Sequence, residues 1–373
     1  LEGGLLWLLV RALKPKLLIV CWSLTAAGTL QALWAIWQFV TQATFANKWL
    51  GVAIHLISQG GTSVVLTQAG LWLRAYAGQV HPNVLGGLLT ITSLATAWLY
   101  FYSKSQISNL NGQISPKSQI GKSISSYSLL LLYTIQLIGL FFSFSRGAWL
   151  ALFITLGLWF YRDRPKSVRS RTLAIKTTYG LRNAALAAPD TFRLGMFEFS
   201  KGAINILLAT VMVFVLLGLW LWQPTVGRFF GGSRLEQQSV EERMGSVGES
   251  QSLLKGSWWR GLGYGNYTVA LQASQPGLNS WRYQPVHNVF LLILTELGVV
   301  GLGLFLWLLW VILSPLTTHF SPPVPVASGY WLVAIIVTAL FDHYWWTIPS
   351  MMLLFWLVVA IAWLEDSPVS GGS

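Results

Sequence analysis

Apolar runs of span length, broken by short basic or Gly/Ser-rich stretches, dominate the chain. Charge-free intervals extend from Lys16 to Lys48, Arg74 to Lys104, Lys122 to Arg146, Lys201 to Arg228 and Glu296 to Asp342. Each exceeds the roughly 20 residues a helix needs to cross hydrocarbon, and soluble cores do not repeat such runs. The pattern predicts about eight spans, near 17–40, 83–103, 126–144, 147–161, 202–222, 288–313, 328–345 and 349–364. Residues 49–73 are also uncharged, but Gln59, Gly60, Gly61, Thr62 and Ser63 interrupt them. A re-entrant or interfacial pair of short helices is one reading of that stretch, which stays open. The longest polar segment runs from Gln223 to Val286 between two spans.

Composition agrees with this pattern. Of 373 residues, 54% are hydrophobic and 10% charged, where a soluble domain carries about 25% charged residues. The expected architecture is all-α: a polytopic integral membrane protein forming one domain over 1–373, with 223–287 as its large outer loop. The first residues read as the end of an apolar segment cut by Arg11, Lys14 and Lys16, so further spans are expected to precede them. No cleavable signal is visible, because a full-length span follows the basic cluster. Cys21, the one cysteine, lies within a predicted span and reads as a small apolar residue.

Cytoplasmic loops hold the excess of Lys and Arg. Placing Arg11, Lys14 and Lys16 inside and alternating puts most of the 24 basic residues inside, including the Ser/Lys- and Arg-rich connections at 104–125 and 162–200. A stiff Pro-rich turn at 321–325 falls inside as well. The basic residues left outside are mainly arginines: Arg74, Arg146, Arg228, Arg234, Arg243, Arg260 and Arg282, with Lys48 and Lys255. The net charge of +12 thus combines an inner face suited to anionic membrane lipids with an outer arginine set that needs another reason. Nucleic acid is not implied, since the basic residues sit beside spans rather than on a soluble base-reading module.

Five constellations carry candidate chemistry. His287 and Asn288 open a predicted helix containing Glu296, Gly298 and Gly301. On an unbroken helix Gly298 lies about 20° from His287 and Gly301 about 40° the other way, so His287 points along a glycine face suited to close helix packing. Glu296, rotated about 180° and about 13 Å deeper, is not its partner. The plainer reading makes His287 and Asn288 a polar cap ending a span. Arg146, between two apolar runs, either snorkels or aims its guanidinium at a phosphate. Arg74 leads through Gly78 to His81, Pro82 and Asn83, which is turn chemistry first. The run Trp258 to Tyr267 holds Arg260 among glycines and aromatics that suit a sugar or lipid headgroup; no strand or Lys-Ser/Thr makes it a nucleotide loop. Asp342 and His343 adjoin an aromatic belt, where the acid either orients His287, pairs with an outer arginine or is solvated at headgroup level. No metal-ligand spacing occurs.

His287-Asn288, nine residues, Gly298, two residues and Gly301 resemble the His-[Asn/Ser/Gln]-x9-Gly-x-x-Gly signature of the O-antigen ligase and polymerase superfamily. Arg74 to Gly86, the turn Ser145 to Trp149, and Gly261 to Tyr267 resemble the family in the same order, together covering roughly 70–310. The resemblance implies a GT-C-like membrane glycosyltransferase of the bacterial inner membrane, with its active site on the periplasmic side. Its donor would be a glycan on undecaprenyl diphosphate, and its acceptor lipid A core or a growing glycan, in lipopolysaccharide or other polysaccharide biosynthesis. It implies a site formed by His287, Arg146, Arg74 and Arg243 or Arg260, with Asn288, Asp342, Gly298 and Gly301 in support. Two departures are a span count below the family's usual ten to twelve and an imperfect arginine motif around Arg243.

Chemistry makes these roles coherent. A sugar diphosphate already carries a good leaving group, so fixed positive charge and a base for the acceptor hydroxyl suffice. Arginine binds phosphate oxygens bidentately, and imidazole titrates near working pH. A metal-independent, inverting transfer without cofactor is the expectation. A polymerase uses the same motifs. A bicarbonate transporter is the reading from another class, against which stand the absence of an internal repeat and the clustering of charge at the outer interface. A purely structural membrane protein would not need so many outer arginines beside a packed histidine.

Overall fold

The computed structural model describes residues 2–110, 126–162, 191–194, 197–230, 234–318 and 327–365. The Pro-rich turn at 321–325 and most of the two expected inner connections lie outside the described residues. Helices α1 (Glu2–Leu13) and α2 (Leu17–Thr41) are followed by an antiparallel hairpin, β1 (Val64–Thr67) and β2 (Gly70–Leu73), paired in the register Val64 to Leu73. Then come α3 (Pro82–Leu110), α4 (Ser126–Phe142), α5 (Arg146–Arg162) and a second hairpin, β3 (Thr191–Leu194) with β4 (Phe197–Ser200). The chain continues through α6 (Lys201–Trp220), α7 (Trp222–Phe230), α8 (Arg234–Leu254), α9 (Tyr267–Ser274), α10 (Val289–Thr318), α11 (Ala327–Ala339), α12 (Tyr344–Thr347) and α13 (Pro349–Glu365).

Helix accounts for 73% and strand for 4%, so the hairpins leave the all-α class intact. The apolar helices make this an all-helical membrane protein. Four of them, Leu17–Thr41, Pro82–Lys104, Gly202–Trp220 and Val289–Ser314, are long and apolar enough to cross a bilayer. Ser126–Phe142, Arg146–Tyr161, Ser328–Ala339 and Pro349–Leu364 are apolar and shorter. Against the expectation of about eight spans, four helices among the described residues have spanning length.

Helix α3 is the hub, with 89% of its apolar stretch buried, packed by α2, α4, α5 and α11. Small residues let these axes close: a Cβ on Gly86 would meet Ser145 Cβ at 2.6 Å, and one on Gly139 would meet the Ala32 backbone at 2.8 Å. Buried polar side chains join the same helices, with Thr25 Oγ1 3.0 Å from Thr96 Oγ1 and Gln136 Nε2 donating to Thr96 at 3.0 Å.

Three expectations change. Residues 49–73 contain the β1–β2 hairpin rather than short helices, since Val65 and Leu73 alternate inward while Leu66 stays exposed. The polar segment 223–286 is largely helical, through α7, α8 and α9. Its small core of Tyr267, Leu271 and Val286 packs on Leu292 of α10.

The third concerns the glycine face. Helix α10 breaks at Gly298, where φ is 68° and ψ −172°, a backbone region essentially closed to other residues. The irregular segment 258–263 straps across the break. Leu262 N–H donates to Thr295 O at 3.0 Å, Gly263 N–H to Glu296 O at 2.7 Å, and Val299 N–H to Trp258 O at 3.0 Å. A Cβ on Gly298 would sit 2.2 Å from Trp259 O, and one on Gly261 2.4 Å from Glu296 O. Gly298 therefore admits a backbone strap, not a packed neighbouring helix, and a Cβ on Gly301 would meet only Leu297 of its own helix. The helical-wheel relation between His287 and the glycines does not survive the break.

Candidate functional site

The α4–α5 turn organises one side of the site. Helix α4 ends at Phe142, and Phe144 is buried with φ at 48°, so the chain reverses there and leaves the helix's terminal carbonyls open to other partners. Those carbonyls, at the negative end of the helix dipole, attract cations. Arg74, delivered by β2, donates from Nε to Ser143 O at 2.8 Å, and Arg228 of α7 donates to Phe144 O at 3.1 Å. Arg146 is the first residue of α5 and donates to the Arg228 carbonyl.

Arg74 is buried and also donates to Asn83 Oδ1 at 2.7 Å, while Asn83 Nδ2 donates to Asp342 Oδ2 at 2.7 Å. Asp342 occupies the break between α11 and α12 and accepts from His343 N–H at 2.8 Å. His343 Nδ1 lies 2.7 Å from Thr347 Oγ1, and its ring meets the His287 ring edge-on with centroids 5.4 Å apart. One hydrogen-bonded chain thus runs from Arg74 to Asp342, ending beside two imidazoles.

His287 is partly buried, and its enclosed Nδ1 makes no hydrogen bond among the described residues. Asn288 takes the capping role, accepting from Leu291 N–H at 2.9 Å and donating to Leu340 O at 3.1 Å. That cap aims α10 at the Asp342 break.

Three cavities meet here. One of about 540 Å³ is lined by residues 57–63 and by Arg74, His81, Asn83, Arg228, Arg243 and His287. Its neighbour, about 260 Å³, shares Asn83, Arg228 and Arg243 and adds Arg146, Asp342 and the apolar Leu150 and Phe341. A third, about 240 Å³, shares Glu242, Gln284 and His287 with the first and adds Glu241, Glu249 and Arg282. His287 therefore lies between a chamber rich in guanidinium groups and a cleft rich in carboxylates.

Electrostatics follow from burial. The His287 imidazole is pushed below its ordinary value by burial, which the Asp342 carboxylate opposes and His343 and Arg243 reinforce. His343 is lowered by burial against the same carboxylate. His81 falls to about 3, through burial and then the Arg74 charge. It accepts Asn83 N–H on Nδ1 at 3.1 Å and meets Ser63 Oγ with Nε2 at 2.8 Å, the turn role its sequence suggests. Burial raises Asp342, but the His343, His287 and His81 imidazoles and the Asn83 amide outweigh it and bring the carboxyl down to about 2. Burial, then Arg228, lowers Arg74.

Of the residues singled out in the sequence, His287, Arg74 and Arg243 line one chamber, and Arg146 and Asp342 line the adjoining one. Arg260 stands apart from them: it is exposed, lines none of these three cavities, and belongs to the strap at Gly298. Glu296 is engaged elsewhere, accepting Tyr267 N–H at 3.4 Å and Trp346 Nε1–H at 2.9 Å. Arg228, His343 and Asn83 were not marked as site residues. Arg228 was legible as an outer arginine and His343 as the neighbour of Asp342, but nothing in the sequence tells which loops meet. Among the described residues there is no group of three or more His, Cys, Asp or Glu side chains that could hold a metal ion.

A chamber of arginines beside an imidazole thus sits at one end of an apolar helical bundle. Residues 129–306 match the O-antigen ligase family model, which supports the O-antigen ligase and polymerase superfamily and an activity of that kind. The matched span contains the α4–α5 turn, Arg146, Arg228, Arg243, His287 and Gly298. No curated protein matches the chain.

Proposed function

We propose that the chain is a glycosyltransferase of the bacterial inner membrane, with a GT-C-like fold, that acts at the periplasmic face on a glycan carried by undecaprenyl diphosphate. The carrying observation is the chamber shared by His287, Arg74, Arg228 and Arg243. Arg146 strengthens it: a cation in the first turn of α5 opposes that helix's dipole, so it does not serve the helix. Placed at a helix N-terminus, it favours an anion there instead.

In this reading the guanidinium groups hold the diphosphate. His287, neutral at working pH because burial lowers it, takes the acceptor hydroxyl proton. The acceptor oxygen bonds to the anomeric carbon as the carbon–oxygen bond to phosphate breaks, with inversion, and the lipid diphosphate leaves with the electron pair. This chemistry needs no metal for its charge balance. The acceptor is lipid A core for a ligase or a growing glycan for a polymerase.

The test is transfer in proteoliposomes supplied with lipid-linked glycan. His287→Gln should lose on the order of 10²–10⁴-fold in turnover, the contribution of a positioned base. Full activity in that variant removes the role. Accumulated lipid-linked polymer in cells lacking the protein marks a ligase, and accumulated monomer units a polymerase.

A further inference from the structure

Residues 42–57, which join α2 to the hairpin, form a built element with an apolar exterior. After α2 ends, the chain turns back on itself. Phe45 stacks on Trp34 with centroids 5.6 Å apart and meets Trp37 edge-on at 6.1 Å. Trp34 precedes the end of α2 by seven residues, so Phe45 lies about 10 Å back along that helix. The segment therefore runs back along the face on which Trp37 is exposed.

At its tip, Asn47 and Val52 pair by backbone bonds of 2.9 and 3.0 Å, and Asn47 Oδ1 accepts Trp49 N–H at 2.9 Å and Leu50 N–H at 3.1 Å. Further along, Thr44 Oγ1 bridges His55 N–H and His55 O, each at 2.9 Å. Four of the tip's six backbone donors, those of Asn47, Trp49, Leu50 and Val52, are thus satisfied internally, which suits a segment entering a low-water region. Its side chains point the other way: Trp49 is 87% exposed, Leu50 59% and Ile54 48%. Lys48 Nζ lies 5.2 Å from the Trp49 ring centroid, the amphipathic pairing found at bilayer interfaces. The next residues, 57–63, are the rim of the chamber holding His287.

We infer that residues 45–57 are an interfacial foot, seated with Trp49, Leu50 and Ile54 among the outer-leaflet phospholipids. The occupant of this apolar surface is lipid, because the surface continues the exposed apolar side of α2, a helix of spanning length, and carries the Lys48–Trp49 pairing of a bilayer interface. The foot fixes the chamber rim at headgroup height, where a lipid-linked substrate presents its polar end. The seating itself depends on no assumption about glycan transfer.

The experiment uses the full chain in phosphatidylethanolamine/phosphatidylglycerol nanodiscs. Its one cysteine, Cys21, is buried, so Leu50→Cys and Ile54→Cys each take an environment-sensitive fluorophore at a new surface thiol, with exposed Ser252→Cys as the aqueous reference. The expected result is blue-shifted emission at 50 and 54, strongly quenched by nitroxide-bearing acyl chains and spared by aqueous iodide, with the reverse at 252. Iodide quenching at both foot positions overturns the inference. So does shielding from both quenchers, which would mean that protein, including a second copy of this chain, covers the surface. Two labelled positions keep the result decisive if one variant folds poorly.

Discussion

The two sides of the proposed site are built by opposite means. On the buried side, Arg74, Asn83 and Asp342 are enclosed and joined end to end by hydrogen bonds of 2.7 Å. On the exposed side, α8 presents Glu241, Glu242 and Arg243, and the pair Arg282 with Glu242 is 3.9 Å apart with side chains 44% and 40% exposed. A buried charge chain cannot rearrange without uncovering a charge, so it fixes the position of whatever it binds. An exposed, screened pair shifts cheaply and tolerates varied partners. The division suits a reaction with an invariant diphosphate on one side and a variable glycan on the other.

The sharpest way to break the comparison is to remove its buried anchor. Asp342→Leu should destabilise the protein by about 3 kcal/mol, because it leaves two donors, the Asn83 amide and the His343 N–H, without their acceptor at about 1–3 kcal/mol each; thermal unfolding in detergent reads this out, and an unchanged midpoint would show that the chain is not a structural anchor. Next in size is Gly298→Ala. Its backbone conformation costs another residue about 1–3 kcal/mol, and its Cβ meets Trp259 O at 2.2 Å. Increased proteolysis between Trp258 and Gly263 is the expected sign.

Acid should weaken the buried side first. His81 stays neutral in the folded protein down to about 3, while an unfolded imidazole binds its proton near 6.5. Below that value the unfolded chain takes up a proton the folded one refuses, so stability falls as pH drops through the window from about 6.5 to about 3. His81→Gln should flatten that part of a stability profile. The smallest effect belongs to the outer side: Arg282→Ala should change stability by no more than about 1 kcal/mol, and Arg260→Ala should leave donor affinity unaltered. A large loss in the latter would return Arg260 to the site.

The apolar runs made the helices legible, because spanning length and charge exclusion act locally. The arginine and histidine positions were legible as chemistry for a related reason: cations outside the bundle need an explanation that lipid does not supply. Non-local backbone bonding was not legible. The break at Gly298 exists because residues 258–263 supply its hydrogen bonds, and an ideal helical wheel through Glu296 and Gly301 has no term for that strap. The same contact holds Arg260 at the strap, outside the three cavities, although its glycine-rich surroundings resemble a headgroup loop. The hairpin at 64–73 was hidden because four-residue strands leave almost no periodicity, and the route from Arg74 through Asn83 to Asp342 joins residues more than 250 positions apart.

The central claim is that His287 performs the chemistry while the arginine chamber holds the donor. Single-turnover transfer and donor binding, measured on the same proteoliposomes for His287→Gln and Arg243→Ala, separate these tasks. The expected outcome is that His287→Gln binds lipid-linked donor normally and fails to transfer it, while Arg243→Ala binds donor weakly and transfers what it binds. Native transfer by His287→Gln, or loss of donor binding in that variant with Arg243→Ala unaffected, would contradict the account.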